Sequence, residues 1–552
     1  MPRYALMLLQ LLLVAPCHAQ QALSPGVRMA MESVSIERIW SHTEYLGNDR
    51  LMGRAVGTAG ADTAAQYLAD QLRHLKIRPG AEDGSYMQRV PLHGSHALTG
   101  SLLQVMVADT VYQLELVQDY LLYDTGDYTI IPQPVPIVFV GYGIIAPEYD
   151  YDDYQDLQVE GAVVVFLSGE PYSEVTDYFK GVQPTIHSIP GMKQRQALSR
   201  GAVGSIMIPS YREHGGRTWS EWRDMFAFEH VTLLYGEPAN LTMLVNPARA
   251  SVFFEGASYS LGDVYEMDLN YEMRSFPLET QLRFVGRFRE REFFSSNVIG
   301  VLPGSDPILR NEYVIVSAHY DHLGVGPPVL ADSIYNGVVD NALGCSGVLE
   351  IARGIAAMPK PPRRSLVFLF VTGEEKGMLG SRYYLDHPAV PLHRTMAAVN
   401  VDGLAIVDTF GDIIGVGAEL STLGELLQTV AGELDMTVSQ IPLVFQGLDP
   451  FALSDQFAFA QAGIPAILLM EGIQFKNLSS EAGIEIFVNW GRLRYHTPFD
   501  DLEQPFNHAA VRQHVQVLLA YIGALADTYR PVQWVSQSRY NMARLRSIIE
   551  SR

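Results

Sequence analysis

Apolar residues in this chain recur with two different periods, and the alternation between them lays out the fold. Steps of three and four place Ala64, Tyr67, Leu68 and Leu72 on one face and predict a helix over 61–75. The stretch 29–46 carries the same period. From about Gly100 the texture changes to short β-rich runs. Segments 136–143 (PIVFVGYG), 161–167 (GAVVVFL) and 203–208 read as buried strands bounded by glycine and proline, with a helix over 192–200. Strand and helix patterns alternate again from Ser296. Strands are expected at 297–302, 312–317, 365–371, 395–401, 413–416 and 466–469, and helices at 347–357, 423–434 and 511–525. The run SLVFLFV at 365–371 is apolar throughout, as in a strand covered on both faces. The predicted fold is α/β, a mixed, largely parallel sheet sandwiched by helices, with a β-rich insertion. Expected boundaries are 20–114 and 273–552 for the main domain and 115–272 for the insertion.

Composition changes this picture little. The chain has 552 residues, 48% apolar and 18% charged, which suits a large globular core. A formal charge of −22 argues against a nucleic-acid partner, because no basic surplus exists to neutralise phosphates. Arg3, the apolar run 5–15 and the small residue Ala19 read as a cleavable signal peptide over 1–19. That run falls well short of the ~20 residues a membrane span needs. An exported protein, periplasmic or secreted and with no transmembrane segment in its mature form, is the expectation. Pro16 disfavours a lipoprotein anchor at Cys17. The other cysteine, Cys345, then has no internal disulfide partner and is expected to be a buried structural thiol. The Gly-rich loop GNDRLMGRAVGTAG is expected to be a turn with special backbone angles.

The candidate chemistry lies mainly between Ser317 and Asp402. SAHYDHLG supplies His319 and Asp321, NGVVDNALG supplies Asp340, FVTGEEKGMLGS supplies Glu374 and Glu375, and NVDG supplies Asp402. His496, in YHTPFDDLE, stands far downstream. Three apolar runs end in these groups, where a parallel sheet delivers its loops to one edge. Charged groups buried at such an edge cost desolvation energy unless paired or metal-bound. Two histidines and several carboxylates on separate loops point to a hydrolytic metal site. Adjacent glutamates can divide metal ligation and proton transfer between them. Asp321, two residues beyond His319, is placed to orient that imidazole. The chain contains no G-x-S-x-G elbow, no H-E-x-x-H and no Walker loop.

Together with SDQFAFAQAGIPA, these motifs resemble the bacterial co-catalytic dizinc aminopeptidase family. Its superfamily includes glutamate carboxypeptidase II, glutaminyl cyclase and the inactive transferrin receptor. The resemblance implies two Zn2+ ions held by His319, Asp340, Glu375, Asp402 and His496, with Asp340 bridging and Glu374 as general base. It implies a peptide substrate cut at its N-terminus, with C-terminal cleavage or an inactive peptide- or protein-binding scaffold as alternatives. For C-terminal cleavage, Arg492 and Arg494 are the candidate cations. PIVFVGYGIIAPEYDYDDYQDLQVEGAVVVFLSGEP resembles the protease-associated domain inserted in many members. Two departures stand out. Gln456 replaces the histidine of a Ser-Asp-His found in many relatives, which places it near the expected substrate pocket. Leu343 replaces a serine and would make the site narrower or more apolar.

Overall fold

The computed structural model describes residues 23–123, 129–172, 178–181, 184–214, 217–236, 240–442 and 450–550. The expected signal segment 1–19, with Cys17, lies outside the described residues.

The main sheet runs in the order His230–Leu233, Met87–Ala97, Phe288–Leu302, Ser365–Val371, Tyr313–His319, Thr395–Asn400, Ala466–Glu471, Asp412–Val416 and Thr437–Ser439. Its four central strands, from Ser365–Val371 to Ala466–Glu471, are mutually parallel, and antiparallel pairs flank them. The strand period explains the unbroken apolar runs. Leu366, Phe368 and Phe370 enter one core, while Val367, Leu369 and Val371 enter the other. Helices Pro25–Glu32, Ile36–Leu46, Ala59–His74, Gly344–Ala356 and His508–Asp527 contribute to the first core. Leu379–Asp386 and Gln456–Gln461 contribute to the second. The single helical stretch expected over 29–46 is in fact two helices, because Ser33 ends the first and the Ser35 side chain caps the second.

A second sheet runs Thr110–Leu114, Leu102–Val107, Phe276–Val285, Ile130–Phe139, Val163–Leu167, Gly204–Ile208, Leu241–Val245 and Tyr120–Leu122. It reaches beyond 115–272 on both sides. In the other direction, His230–Leu233 leaves it and pairs with Met87–Ala97 in the main sheet. Boundaries drawn from local texture cannot see this exchange, because strand pairing is a long-range choice. The return is anchored by a two-pronged Arg291–Glu229 ion pair, at 2.8 and 2.6 Å. Phe228 packs edge-on against Tyr335 with ring centres 5.0 Å apart. Among the described residues, no helix is long and apolar enough to cross a membrane.

One core residue makes the fold acid-sensitive. His514 is buried in the helix His508–Asp527; its Nδ1 accepts the Ala405 N–H at 2.9 Å, and its Nε2 faces the Leu469 carbonyl at 3.2 Å. Those partners require a neutral ring protonated on Nε2. Burial pushes the pKa down to about 4. The folded chain therefore binds this proton less tightly than the unfolded chain. The group's contribution is complete above the unfolded value near ~6.5 and is lost as pH falls toward 4, by up to roughly 3 kcal/mol. In His514→Gln, the melting temperature should start lower but decline less steeply between pH 6.5 and 4 than in the wild type. Parallel declines would rule this assignment out.

Candidate metal centre

The three ligand-bearing loops leave the same edge of the sheet. His319 is the last residue of Tyr313–His319, Glu374 and Glu375 open the turn after Ser365–Val371, and Asp402 follows Thr395–Asn400. Asp340 enters from the turn before Gly344–Ala356, and His496 from just beyond the helix Ser480–Leu493.

Asp340 is the common member. Its Oδ1 lies 3.1 Å from His319 Nε2, and its Oδ2 lies 3.2 Å from His496 Nε2. His319 Nε2 is also 3.1 Å from Asp402 Oδ1, and His496 Nε2 is 3.2 Å from Glu375 Oε2. Two ligand groups thus share one carboxylate: His319, Asp340 and Asp402 on one side, and Asp340, Glu375 and His496, with His322, on the other. Glu374 joins His319 and Glu375 in a third overlapping group.

The spacing fits divalent ions. Donors bound tetrahedrally at ~2.0–2.1 Å are on the order of 3.3 Å apart, close to all four histidine–carboxylate separations. His496 Nε2 is buried and makes no aligned hydrogen bond, although two carboxylates flank it. Such an atom, facing a common point with two carboxylate oxygens, suits a cation. Its backbone is in the left-handed region, at φ 54°, and its ring stacks on Tyr495 with centres 3.9 Å apart.

Supporting residues hold this arrangement in place. Asp500 accepts the backbone N–H groups of Val339 and Asp340, each at 3.0 Å. The side chain of Asn341 accepts from Gly403 N–H at 3.0 Å and donates to the Val401 carbonyl at 2.8 Å, tying the Asp340 turn to the Asp402 loop. Arg54 is only 1% exposed, and its guanidinium donates to four carbonyls: Leu46, Tyr320, Asn336 and Gly337. The glycine-rich loop does contain left-handed residues, at Met52, Gly53 and Arg54. It also delivers a buried cation among the acidic loops.

Asp321 acts in two ways. Its backbone carbonyl lies 3.2 Å from His319 Nδ1, while its carboxylate is 3.9 Å from that nitrogen. The carboxylate instead accepts the Glu374 N–H at 3.2 Å. The imidazole is oriented chiefly by main chain, and the side chain fixes the neighbouring glutamate.

Several expectations need correction or sharpening. Gln456 is fully buried: it accepts from Asn400 Nδ2 at 3.0 Å and donates to the carbonyls of Pro450 and Phe451. It anchors the strand end before Asp402 and has no surface to offer a substrate. Leu343 is likewise buried in the main core. Cys345 is buried, with its thiol 3.0 Å from the His319 carbonyl, and burial pushes its pKa up to about 12, so it is not a nucleophile. Sequence reasoning missed His322, Asp500 and Arg54. The first two lie inside the quoted motifs, but a histidine or aspartate beside a stronger candidate carries no separate signal.

Residues 297–522 match the profile of peptidase family M28. Aminopeptidase NAALADL1 of Mus musculus is 32% identical over 169 residues, 30% of this chain and 20% of that protein. The probable leucine aminopeptidase 2 of Aspergillus oryzae is 29% identical over 227 residues, 39% of this chain and 41% of its own length. Aminopeptidase YwaD of Bacillus subtilis is 28% identical over 218 residues, 38% and 40% of the two chains. The matched segments therefore span less than half of each of these relatives. The aminopeptidase from Aneurinibacillus sp. strain AM-1 superposes with a TM-score of 0.53 at 16% identity, over 90% of this chain and 95% of that one, and shares its fold.

Asp500→Ala leaves two buried N–H groups without an acceptor. The expected loss is roughly 2–4 kcal/mol of folding stability, with weaker uptake of added divalent metal. Denaturant titration and metal titration would read both; unchanged stability with unchanged metal uptake would exclude the role given to Asp500.

Proposed function

We propose that this protein is an exported dizinc aminopeptidase that removes N-terminal residues from peptides. The observation that carries the reading is the Asp340 carboxylate, whose two oxygens face histidines of two different ligand groups. Nitrogen and oxygen donors without thiolate suit zinc, held by His319, Asp340 and Asp402 in one group and by Asp340, Glu375 and His496 in the other. Bound there, the ions would act as Lewis acids that polarise the scissile carbonyl and lower the pKa of water.

Proton transfer falls to Glu374. Burial, with the nearby charges of Asp455, Asp402 and Glu375, raises its pKa well above the usual carboxylate range, against the opposing influence of His319. A base with a raised pKa takes a proton from water more readily and can pass it to the departing amine. Bound cations would offset part of that rise. Asp321 holds the Glu374 backbone, so the carboxylate is placed by a group that is itself fully buried.

Charge supports cutting at the N-terminus. The crowding of carboxyl groups around the site supports recognition of a substrate's α-ammonium over a terminal carboxylate. Carboxypeptidase action would need a cation there. Of the two candidates, Arg494 donates to the Phe499 carbonyl at 2.8 Å and Arg492 is exposed on its helix. Residues 115–272, which supply five strands of the second sheet, we read as a protease-associated domain, and residues 1–19 as the export signal.

Purified protein assayed on matched free and N-acetylated peptides tests the reading. Acetylation should abolish turnover; continued cleavage of blocked peptides from the C-terminal side would support the carboxypeptidase alternative. No hydrolysis of either, with no bound metal, would leave a binding scaffold. Chelation should remove activity, and zinc should restore it. Glu374→Gln should lower kcat by about 10²–10⁴-fold while the protein keeps its zinc. Near wild-type kcat in that variant would remove Glu374 from its role.

A further inference from the structure

His322 stands among the ligands without a role in the mechanism above. Its Nδ1 lies 2.6 Å from Glu375 Oε1, and the other oxygen of the same carboxylate, Oε2, lies 3.2 Å from His496 Nε2. The ring is wholly buried. It is held by the His322 N–H on the Arg54 carbonyl at 3.4 Å and by an edge-on contact with His496, ring centres 5.5 Å apart. Gly337 makes the space, since a Cβ there would lie 2.4 Å from His322 Cγ and 2.5 Å from Cδ2. Nε2 is buried and has no partner.

Distance separates two roles for this imidazole. Donors to one tetrahedral ion stand on the order of 3.3 Å apart. The four pairs formed by His319 and His496 with their carboxylates, at 3.1–3.2 Å, are near that spacing. The His322–Glu375 pair, at 2.6 Å, is too short for it and has the length of a charge-assisted hydrogen bond. Nδ1 therefore carries the proton and donates.

We propose that His322 is a positioning residue: its Nδ1–H holds Glu375 Oε1, so that Oε2 is presented with Asp340 Oδ2 toward His496 Nε2. The inference rests on the two-ion reading of the site. It assigns His322 to one ion only, because the His319–Asp340–Asp402 group does not include it. Without this donor Glu375 can rotate, and the second ion loses a fixed ligand while the first keeps all of its own. Outer partners of this kind typically change metal affinity by about 10–100-fold.

Stepwise zinc affinities of the full chain, measured by chelator competition for wild type, His322→Ala and His322→Asn, test it. Wild type should load two ions. His322→Ala should weaken one of them by about 10–100-fold and leave the other unchanged. His322→Asn, whose amide nitrogen sits near the position of Nδ1, should recover most of the loss. X-ray absorption at zinc should give the same histidine count in wild type and His322→Asn. Equal weakening of both ions, no change in either, no recovery in His322→Asn, or a lower histidine count there would each overturn the proposal. A wild-type protein that loads fewer than two ions overturns the two-ion reading itself, a result distinct from two ions with no effect of His322. Melting curves of the metal-free variants identify any that fail to fold, and His322→Asn then decides the question alone.

Discussion

The structure depends on keeping a dense group of carboxylates together at one buried sheet edge. Asp340, Glu374, Glu375, Asp402, Asp321 and Asp455 would repel one another strongly away from water. Their cost is offset in layers. Histidines 319, 322 and 496 lie within 3.2 Å of carboxylate oxygens, main-chain N–H groups fill further positions, and Arg54 brings a buried positive charge behind the loops. What remains uncompensated is directed at two points that share Asp340, which is the condition for holding two dications.

The surrounding fold serves this constraint. Parallel strands deliver His319, Glu374, Glu375 and Asp402 to one edge because each strand must cross over before it re-enters the sheet. Those four residues are therefore held at the ends of strands whose two faces are both buried. Asp340 and His496 come from turns, and turns need extra support. Asp500 supplies it for the first through two main-chain bonds, only four residues beyond His496 itself. The YHTPFDDLE segment thus contributes His496 and also secures the Asp340 turn, so displacement of one would disturb the other.

Composition, periodicity and motif spacing alone pointed to a sheet sandwiched by helices, the strand ends that carry the carboxylates, and seven of the side chains that the fold brings together. These were legible because ligation demands particular residue types at strand ends, and apolar runs mark those ends. Tertiary structure decided what local pattern does not encode. Arg54 looked like part of a glycine turn with special backbone angles, yet its guanidinium binds four carbonyls, three of them from segments more than 260 residues away. Gln456 looked like a specificity residue but is buried in main-chain contacts. His322 sits in the same motif as His319, but its Nδ1 reaches one carboxylate at 2.6 Å where His319 Nε2 reaches two at 3.1 Å. The boundary of the second sheet was equally hidden, since His230–Leu233 chose a partner strand more than a hundred residues away. The reason is common to all four: a sequence records which donors and acceptors exist, whereas their pairing is settled by the three-dimensional distances that folding creates.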